Sequence, residues 1–361
     1  MDTSNLDLGG LREQIDNIDR EIVERLNARV NLAAQIGKLK EKSGQEVYAP
    51  SREMIVFQKL TDLNKGPLSD ESLRAIFREV ISASLSMEKG ITVAYLGPES
   101  TFTHQAAVKN FGNSVNYMAM GTISDVFSSV ELGEVDYGVI PIENSTEGAI
   151  SHSLDLLAET DLKIIAQVYL EISLCLISHS SLPEIKAVHS KDSALGQCRN
   201  WLNRMLPGVE QLESASTVKA VQLAGERSEV AAIASRIAAE THHMPIVAEG
   251  IQDRANNYTR FLTIGKSSSG RLGKGNDKSS YVFSLKDEPG ALQKMLEAFS
   301  SRNLNLSKIE SRPSRRKLWD YYFFVDVIGH RDDPEIVDAV VELKQNCPMV
   351  KWLGSYPNSS F

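Results

Sequence analysis

LREQIDNIDREIVERLNARVNLAAQIGKLK, residues 11–40, decides the first part of the fold. Counting from Leu8, apolar residues recur at Leu11, Ile15, Ile18, Ile22, Leu26, Val30, Ala33, Ile36 and Leu39, every three or four positions and with no proline. That spacing predicts one long amphipathic helix. Two further helical patterns follow, residues 51–63 led by Pro50 and residues 69–87 opened by Ser69 and Ser72. Residues 1–89 therefore read as all-helical. Three helices of which the first is so long enclose a thin core, and a second copy of the chain would complete it.

Beyond Ile91 the period changes. Short apolar runs, ITVAYLG, VDYGVIPI, LKIIAQVYL, EISLCLIS and RFLTIG, alternate with helical stretches such as SDVFSSVELG and STVKAVQLAG, which predicts an α/β region with a largely parallel sheet. Residues 266–280, KSSSGRLGKGNDKSS, have the composition of a flexible linker. After it come SYVFSLKD, GALQKMLEAFSSR, NLSKIESR, LWDYYFFVDVIG, PEIVDAVVELKQ and VKWLGSY, in the order βαββαβ of a ferredoxin-like unit.

Composition narrows the function classes. The 42% hydrophobic and 24% charged fractions are those of an ordinary globular protein, and Glu171 interrupts the richest apolar stretch, so no membrane span is expected. The acidic start MDTSNLDLGG lacks the apolar core of a secretory signal, which points to the cytoplasm. Cys175, Cys198 and Cys347 are odd in number and form no CxxC pair, which argues against a disulfide framework. A net charge of −8 disfavours nucleic acid as a partner.

Within the first helix, Arg29 and Lys40 lie three turns apart on one face, with their bases about 16 Å apart, so two long side chains can grip the ends of a small dianion. Arg12 lies about 25 Å along the axis from Arg29, out of reach of the same ligand; a site using all three borrows Arg12 from a second chain. Taken singly, each is also readable as a solvated charge. The whole segment 11–40, followed by Arg52 and Glu53, resembles the all-helical chorismate mutases. The resemblance implies that Arg12, from the partner chain, and Arg29 bind the substrate carboxylates and that Lys40 faces the ether oxygen. It further implies that Arg52, Glu53, Ser84 and Glu88 complete the pocket. Ala49 departs from an acidic residue common in the family, and Glu88 stands where some members carry Gln. The implied reaction is pericyclic, so holding the folded conformer and placing positive charge or donors at the breaking C–O bond are its two levers.

Three polar strings follow or lead into apolar strands: GPESTFTHQAA, ENSTEGA and NNYTRF. Strand ends that meet helix N-termini suit a carboxylate. Singly, Ser100, Thr101 and Thr103 also read as helix caps, and Asn256, Asn257 and Tyr258 as a turn. In this order the strings resemble the prephenate dehydratases over about residues 91–266, with Thr259, Arg260 and Phe261 matching the family's Thr-Arg-Phe. Residues 141–145 match its Pro-Ile-Glu-Asn-Ser, and Ser190, Gln197 and Cys198 its Ser-to-Gln-Cys segment. The resemblance implies two periplasmic-binding-protein-like α/β lobes with substrate in the cleft and an essential Thr259. Ser190 and Gln197 are further donors. Thr101, Asn144, Ser145 and Arg260 are candidate substrate contacts, Arg260 being equally readable as an inward salt bridge. Glu143 is a candidate acid or a structural carboxylate. Ser100 stands where the family usually has glycine.

Gly290, Ala291 and Leu292 open a helix, and Glu310, Ser311, Arg312 and Pro313 end a strand. Both strings resemble the ACT regulatory domains attached to prephenate dehydratases, which implies an L-phenylalanine site between two subunits. Together the three parts resemble the bifunctional chorismate mutase/prephenate dehydratases. The expected domains are an all-α mutase at 1–89, an α/β dehydratase at 91–266 and an α+β ACT domain at 280–357. The expected partners are chorismate, prephenate, L-phenylalanine and further copies of the chain, with no metal or cofactor. An arogenate dehydratase and a noncatalytic amino-acid-responsive regulator are the competing readings.

Overall fold

The computed structural model describes residues 7–44, 46–273, 275–285, 288–313 and 321–359. The chain divides into two compact units. One comprises Met1–Ala49, Val56–Ile91 and Phe111–Asn116; the other comprises Pro50–Ile55, Thr92–Asn110 and Tyr117–Phe361.

The first unit is built on α1 (Leu8–Ser43), α2 (Pro50–Leu63) and α3 (Asp70–Glu88). Helix α1 runs unbroken to Gly44, whose left-handed φ of 67° lets its N–H close on the carbonyls of Lys40 and Glu41. Helix α3 is capped by Ser69, whose hydroxyl accepts the Ser72 N–H. In α1 the buried residue is Gly37, while Leu8, Leu11, Ile15, Ile18, Ile22, Ile36 and Leu39 of the apolar stripe are exposed. Gly37 marks the closest approach to α3: a Cβ there would lie 2.9 Å from the Glu88 Cβ. Glycine inside a helix costs about 1 kcal/mol relative to alanine, and here that cost is offset by contact.

The first lobe of the second unit contains β1 (Thr92–Leu96), α4 (Phe102–Phe111), β2 (Asn116–Met120), α5 (Ile123–Leu132), β3 (Tyr137–Asn144), β4 (Gly148–Ala149), α6 (Ser151–Glu159) and β5 (Lys163–Glu171). The second lobe contains β6 (Cys175–Ile177), β7 (Ala187–Ser190), α7 (Asp192–Gln197), α8 (Arg199–Met205), β8 (Glu210–Glu213), α9 (Thr217–Glu226), β9 (Val230–Ala234), α10 (Arg236–Thr241) and β10 (Ile246–Ala248). Strand β11 (Tyr258–Gly265) then returns to the first lobe. The sheets run β2-β1-β3-β11-β5, with β4 on β3, and β10-β6-β9-β7-β8. Pairs β1–β3, β7–β8 and β7–β9 are parallel, whereas β11 is antiparallel to both β3 and β5, and β6 to both β9 and β10. The expectation of a largely parallel sheet thus gives way to mixed sheets. The reason is connectivity: the chain leaves one lobe and comes back, so the returning strand enters its sheet in the opposite sense.

The C-terminal part is β12 (Asp277–Ser284), α11 (Ala291–Ser300), β13 (Leu306–Pro313), β14 (Tyr321–Ile328), α12 (Pro334–Asn346) and β15 (Met349–Pro357), the expected βαββαβ order. Its antiparallel sheet runs β13-β14-β12-β15. One face packs on α11 and α12 through Phe283, Met295, Phe299, Ile336 and Leu343. The other shares a core with the first lobe, where Val282, Phe324, Leu353 and Tyr356 meet Ile142, Leu154, Leu262 and Ile264. A Cβ at Gly354 would fall inside the Ile164 backbone, so glycine permits β15 to lie against β5.

The flexible-linker reading of residues 266–280 is corrected at its end. Residues 277–280 belong to β12 and are buried, and the Asp277 carboxylate accepts the N–H groups of Leu272 and Gly273. Composition registered the small polar residues but not the carboxylate that folds them. Of the strands expected from sequence, residues 286–287 and 318–320 lie outside the described residues.

Candidate active sites

In the first unit, the last turns of α1, from Arg29 to Lys40, and the end of α3 bring together Arg29, Lys40, Ser84 and Glu88. Arg29 donates to the buried Ser84 hydroxyl at 2.6 Å, and Lys40 Nζ donates to the Val47 carbonyl at 2.7 Å. Burial lowers the Arg29 pKa from its ordinary value, and the charge of Glu88 opposes the change. Burial raises the pKa of the half-buried Glu88, while the charges of Lys40 and Arg29 pull it down. Glu88 Oε2 is buried with no hydrogen-bond partner among the described residues. A carboxylate could not stay there cheaply, whereas a protonated carboxyl has a hydrogen to give to a substrate oxygen. Arg12 is exposed near the start of α1. Arg52, exposed, and Glu53, half-buried, stand in the first turn of α2, in the segment Pro50–Ile55 that belongs to the second unit.

In the second unit, Thr259 pairs with Asn144 across β11 and β3. Asn144 Nδ2 donates to Thr259 Oγ1 at 2.9 Å and to Asn257 Oδ1 at 2.8 Å, and its own Oδ1 accepts from the Thr146 and Glu147 N–H groups. Asn257 donates to Gln197 Oε1 at 2.8 Å, and Gln197 Nε2 donates to Glu147 at 3.3 Å. This chain ties the strand ends of one lobe to α7 of the other, and ends in a cavity of about 450 Å³ whose lining includes Glu147, Gln197, Asp253, Arg254 and Asn257. Because the Thr259 oxygen accepts from Asn144, its hydrogen is available to donate.

Other expected contacts are not brought to this cluster. Ser190 is fully buried and donates to the Ile233 carbonyl at 2.6 Å, a clamp between β7 and β9 that replaces the role expected of it as a donor. Thr101 caps α4: its hydroxyl donates to the Leu96 carbonyl and accepts the His104 N–H. Ser145 uses its hydroxyl on the backbone of Asn256 and Tyr258. The reading of Arg260 as a substrate contact gives way to the inward salt bridge. Its side chain is 4% exposed and donates to Asp326 at 2.6 Å, Glu143 at 3.0 Å and the Tyr356 hydroxyl at 2.8 Å. Successive strand residues face opposite ways, so Arg260 points away from the side of Thr259. Burial pushes the Glu143 carboxyl up, but Lys308 and Arg260 outweigh it and hold it below the usual carboxylate range. Glu143 is therefore held toward its ionised form by the two cations.

Among the candidate effector residues, Gly290 precedes α11 with a left-handed φ of 85°, and Leu292 borders a cavity of about 430 Å³ with Gln293, Leu296, Glu297 and Ser300. Ala291 follows Gly290 as the first residue of α11. Glu310, Ser311, Arg312 and Pro313 form the end of β13. Arg312 is committed elsewhere: it makes two contacts of 3.1 Å with the Asp155 carboxylate and another hydrogen bond to Ser151, tying β13 to α6.

Family models match in chain order: chorismate mutase type II over residues 11–89, prephenate dehydratase over 93–269 and the ACT domain over 281–345. A bifunctional chorismate mutase/prephenate dehydratase of Aquifex aeolicus is 47% identical over 98% of both chains, and one of Neisseria gonorrhoeae is 44% identical over 96% of both. The chain belongs to the bifunctional chorismate mutase/prephenate dehydratase family. The crystal structure of an Arthrobacter aurescens prephenate dehydratase in complex with L-Phe is 32% identical, covering 74% of this chain and 90% of that one, with a TM-score of 0.69.

Two departures from the family pattern, Ser100 and Ala49, have a physical description. Ser100, where glycine is usual, has a left-handed φ of 66°, a conformation that explains the family's glycine. Its hydroxyl lies 2.9 Å from the Thr241 hydroxyl, a bond glycine could not make. Ala49 is the N-cap of α2 and offers no side-chain cap, whereas an acidic residue there could cap the helix. Sequence reasoning passed over Asn257, Thr146 and Glu147 as bonding partners, although all three lie in the quoted strings. A local turn and a network to α7 use the same amide, and the sequence alone does not distinguish them.

Proposed function

We propose that the chain rearranges chorismate to prephenate in its helical domain, residues 1–89. It then decarboxylates and dehydrates prephenate to phenylpyruvate in the domain of residues 91–266, and the domain of residues 280–357 senses L-phenylalanine as inhibitor. Membership of the family over nearly the full chain carries this reading. The geometry supports each step. At the mutase site, Arg29 and Lys40 supply charge for a dianion, and the unpartnered Glu88 Oε2, protonated, donates toward the ether oxygen as it gathers negative charge. Arg12, about 25 Å from Arg29 along α1, serves the pocket of a second copy, and the exposed apolar stripe of α1 is the surface on which that copy docks. Arg52 and Glu53 are assigned to chorismate by the family resemblance alone.

At the dehydratase site, Thr259 donates to the departing hydroxyl, and Asn144, Asn257 and Gln197 hold it in place. Departure of CO₂ supplies the electron pair that expels the hydroxyl and makes the ring aromatic. A neutral cluster suits this step, since a tight ion pair would stabilise the carboxylate that must be lost. Gly290, Ala291, Leu292, Glu310, Ser311 and Pro313 form the effector site, with Arg312 as its tie to α6. Among the described residues no helix is long and apolar enough to cross a membrane, which fits a cytoplasmic enzyme. Incubating the purified chain with chorismate tests the reading: prephenate followed by phenylpyruvate is expected. Conversion of added arogenate but not prephenate, or no turnover at all, would overturn it.

A further inference from the structure

Strands β11 and β3 carry two cross-strand pairs side by side. Thr259 faces Asn144, and one residue along, on the opposite face, Arg260 faces Glu143. The second pair is held from the C-terminal sheet as well as by its own ion pair. Asp326 of β14 and Tyr356 of β15 bind the Arg260 guanidinium, and Lys308 of β13 pairs with Glu143. Burial alone would push the Asp326 carboxyl up, but Arg260, the Ser280 hydroxyl and Lys278 together hold it below its ordinary value. Lys308 also sits on the strand whose end carries Glu310 and Ser311.

We propose that the Asp326–Arg260 and Lys308–Glu143 ion pairs form a relay by which ligand occupancy at α11 and β13 displaces the Thr259–Asn144 pair. Arg260 and Glu143 are then positioning residues for the dehydration. The proposal rests on the reading of the C-terminal domain as an L-phenylalanine sensor. Two features suit a relay better than mere glue. The linkage is short, Arg260 and Glu143 being the immediate chain neighbours of Thr259 and Asn144, and a displacement of about 1 Å at a reacting group can cost about a hundredfold in rate. It also leaves one donor uncommitted: Arg260 Nε is buried without a partner among the described residues, and Arg260 lines a cavity of about 20 Å³ with Ser280, Lys308 and Asp326.

The test uses the full chain and the variants Lys308→Met, Lys308→Arg and Asp326→Asn. L-phenylalanine binding is measured by calorimetry, dehydratase turnover with and without saturating L-phenylalanine, and mutase turnover as a check on folding. Lys308→Met keeps the aliphatic stem and should bind L-phenylalanine within about threefold of the parent while its inhibition weakens at least about tenfold, a typical allosteric coupling. Lys308→Arg should restore the inhibition. A docking role alone would lower thermal stability without separating binding from inhibition. Full inhibition of ligand-bound Lys308→Met and Asp326→Asn would overturn the relay; should Asp326→Asn fail to fold, Lys308→Met decides. Failure of the unaltered chain to bind L-phenylalanine would instead overturn the sensor reading, and the relay's regulatory role with it.

Discussion

The two candidate sites of this chain are built from opposite materials. The mutase site gathers charged groups, Arg29, Lys40 and Glu88, on two helices, and leaves Glu88 Oε2 buried without a partner among the described residues. The dehydratase site presents hydroxyl and amide groups around Thr259, namely Asn144, Asn257 and Gln197, leaves Glu147, Asp253 and Arg254 to the cavity wall beyond them, and sets a second group of charges on the far face of the strands, where Arg260, Glu143, Asp326 and Lys308 neutralise one another. The chemistry accounts for the difference. A pericyclic rearrangement that moves no proton needs fixed charge at the breaking bond, whereas loss of CO₂ is slowed by any cation that holds the carboxylate too well.

The contrast is broken most severely at Lys40. Lys40→Met should lower mutase kcat about a hundredfold to a thousandfold, the usual cost of removing a transition-state charge partner, and leave dehydratase kcat unchanged. Steady-state assays of both reactions on one preparation check this. Gly37→Ala comes next. Although alanine favours helix by about 1 kcal/mol, its methyl would press on Glu88 and displace the carboxyl. A fall of about tenfold in mutase kcat is expected, with dehydratase turnover as the control.

The smallest effect concerns pH. Burial raises the Glu88 pKa against the pull of Lys40 and Arg29, so the donor is protonated at lower pH and is lost as pH rises through that raised value. Mutase activity should fall by a few-fold toward alkaline pH, and Glu88→Gln, which donates at every pH, should flatten the profile. A flat profile for the unaltered chain would show that the Glu88 proton takes no part.

Much of this contrast was legible in the sequence wherever periodicity or a contiguous string carried it. The three helices, the five apolar strands and the βαββαβ order follow from spacing, and Thr259 and Asn144 lie in quoted strings. What stayed hidden depends on partners distant in the chain. Arg260 reads equally as ligand or salt bridge until Asp326, 66 residues away, is seen beside it. Ser190 looks like a free hydroxyl until the Ile233 carbonyl takes its hydrogen. The linker looked flexible because composition does not reveal that Asp277 turns back on Leu272 and Gly273.

The division of labour between the two sites is tested most directly by product analysis of Thr259→Val supplied with chorismate. The substitution keeps the shape of the side chain and removes the hydroxyl that Asn144 orients. Dehydratase turnover should fall at least about a hundredfold, the scale of a lost donor in the transition state, while mutase turnover is retained, so that prephenate accumulates in place of phenylpyruvate. Phenylpyruvate formed at the parent rate, or equal loss of both activities, would contradict the account.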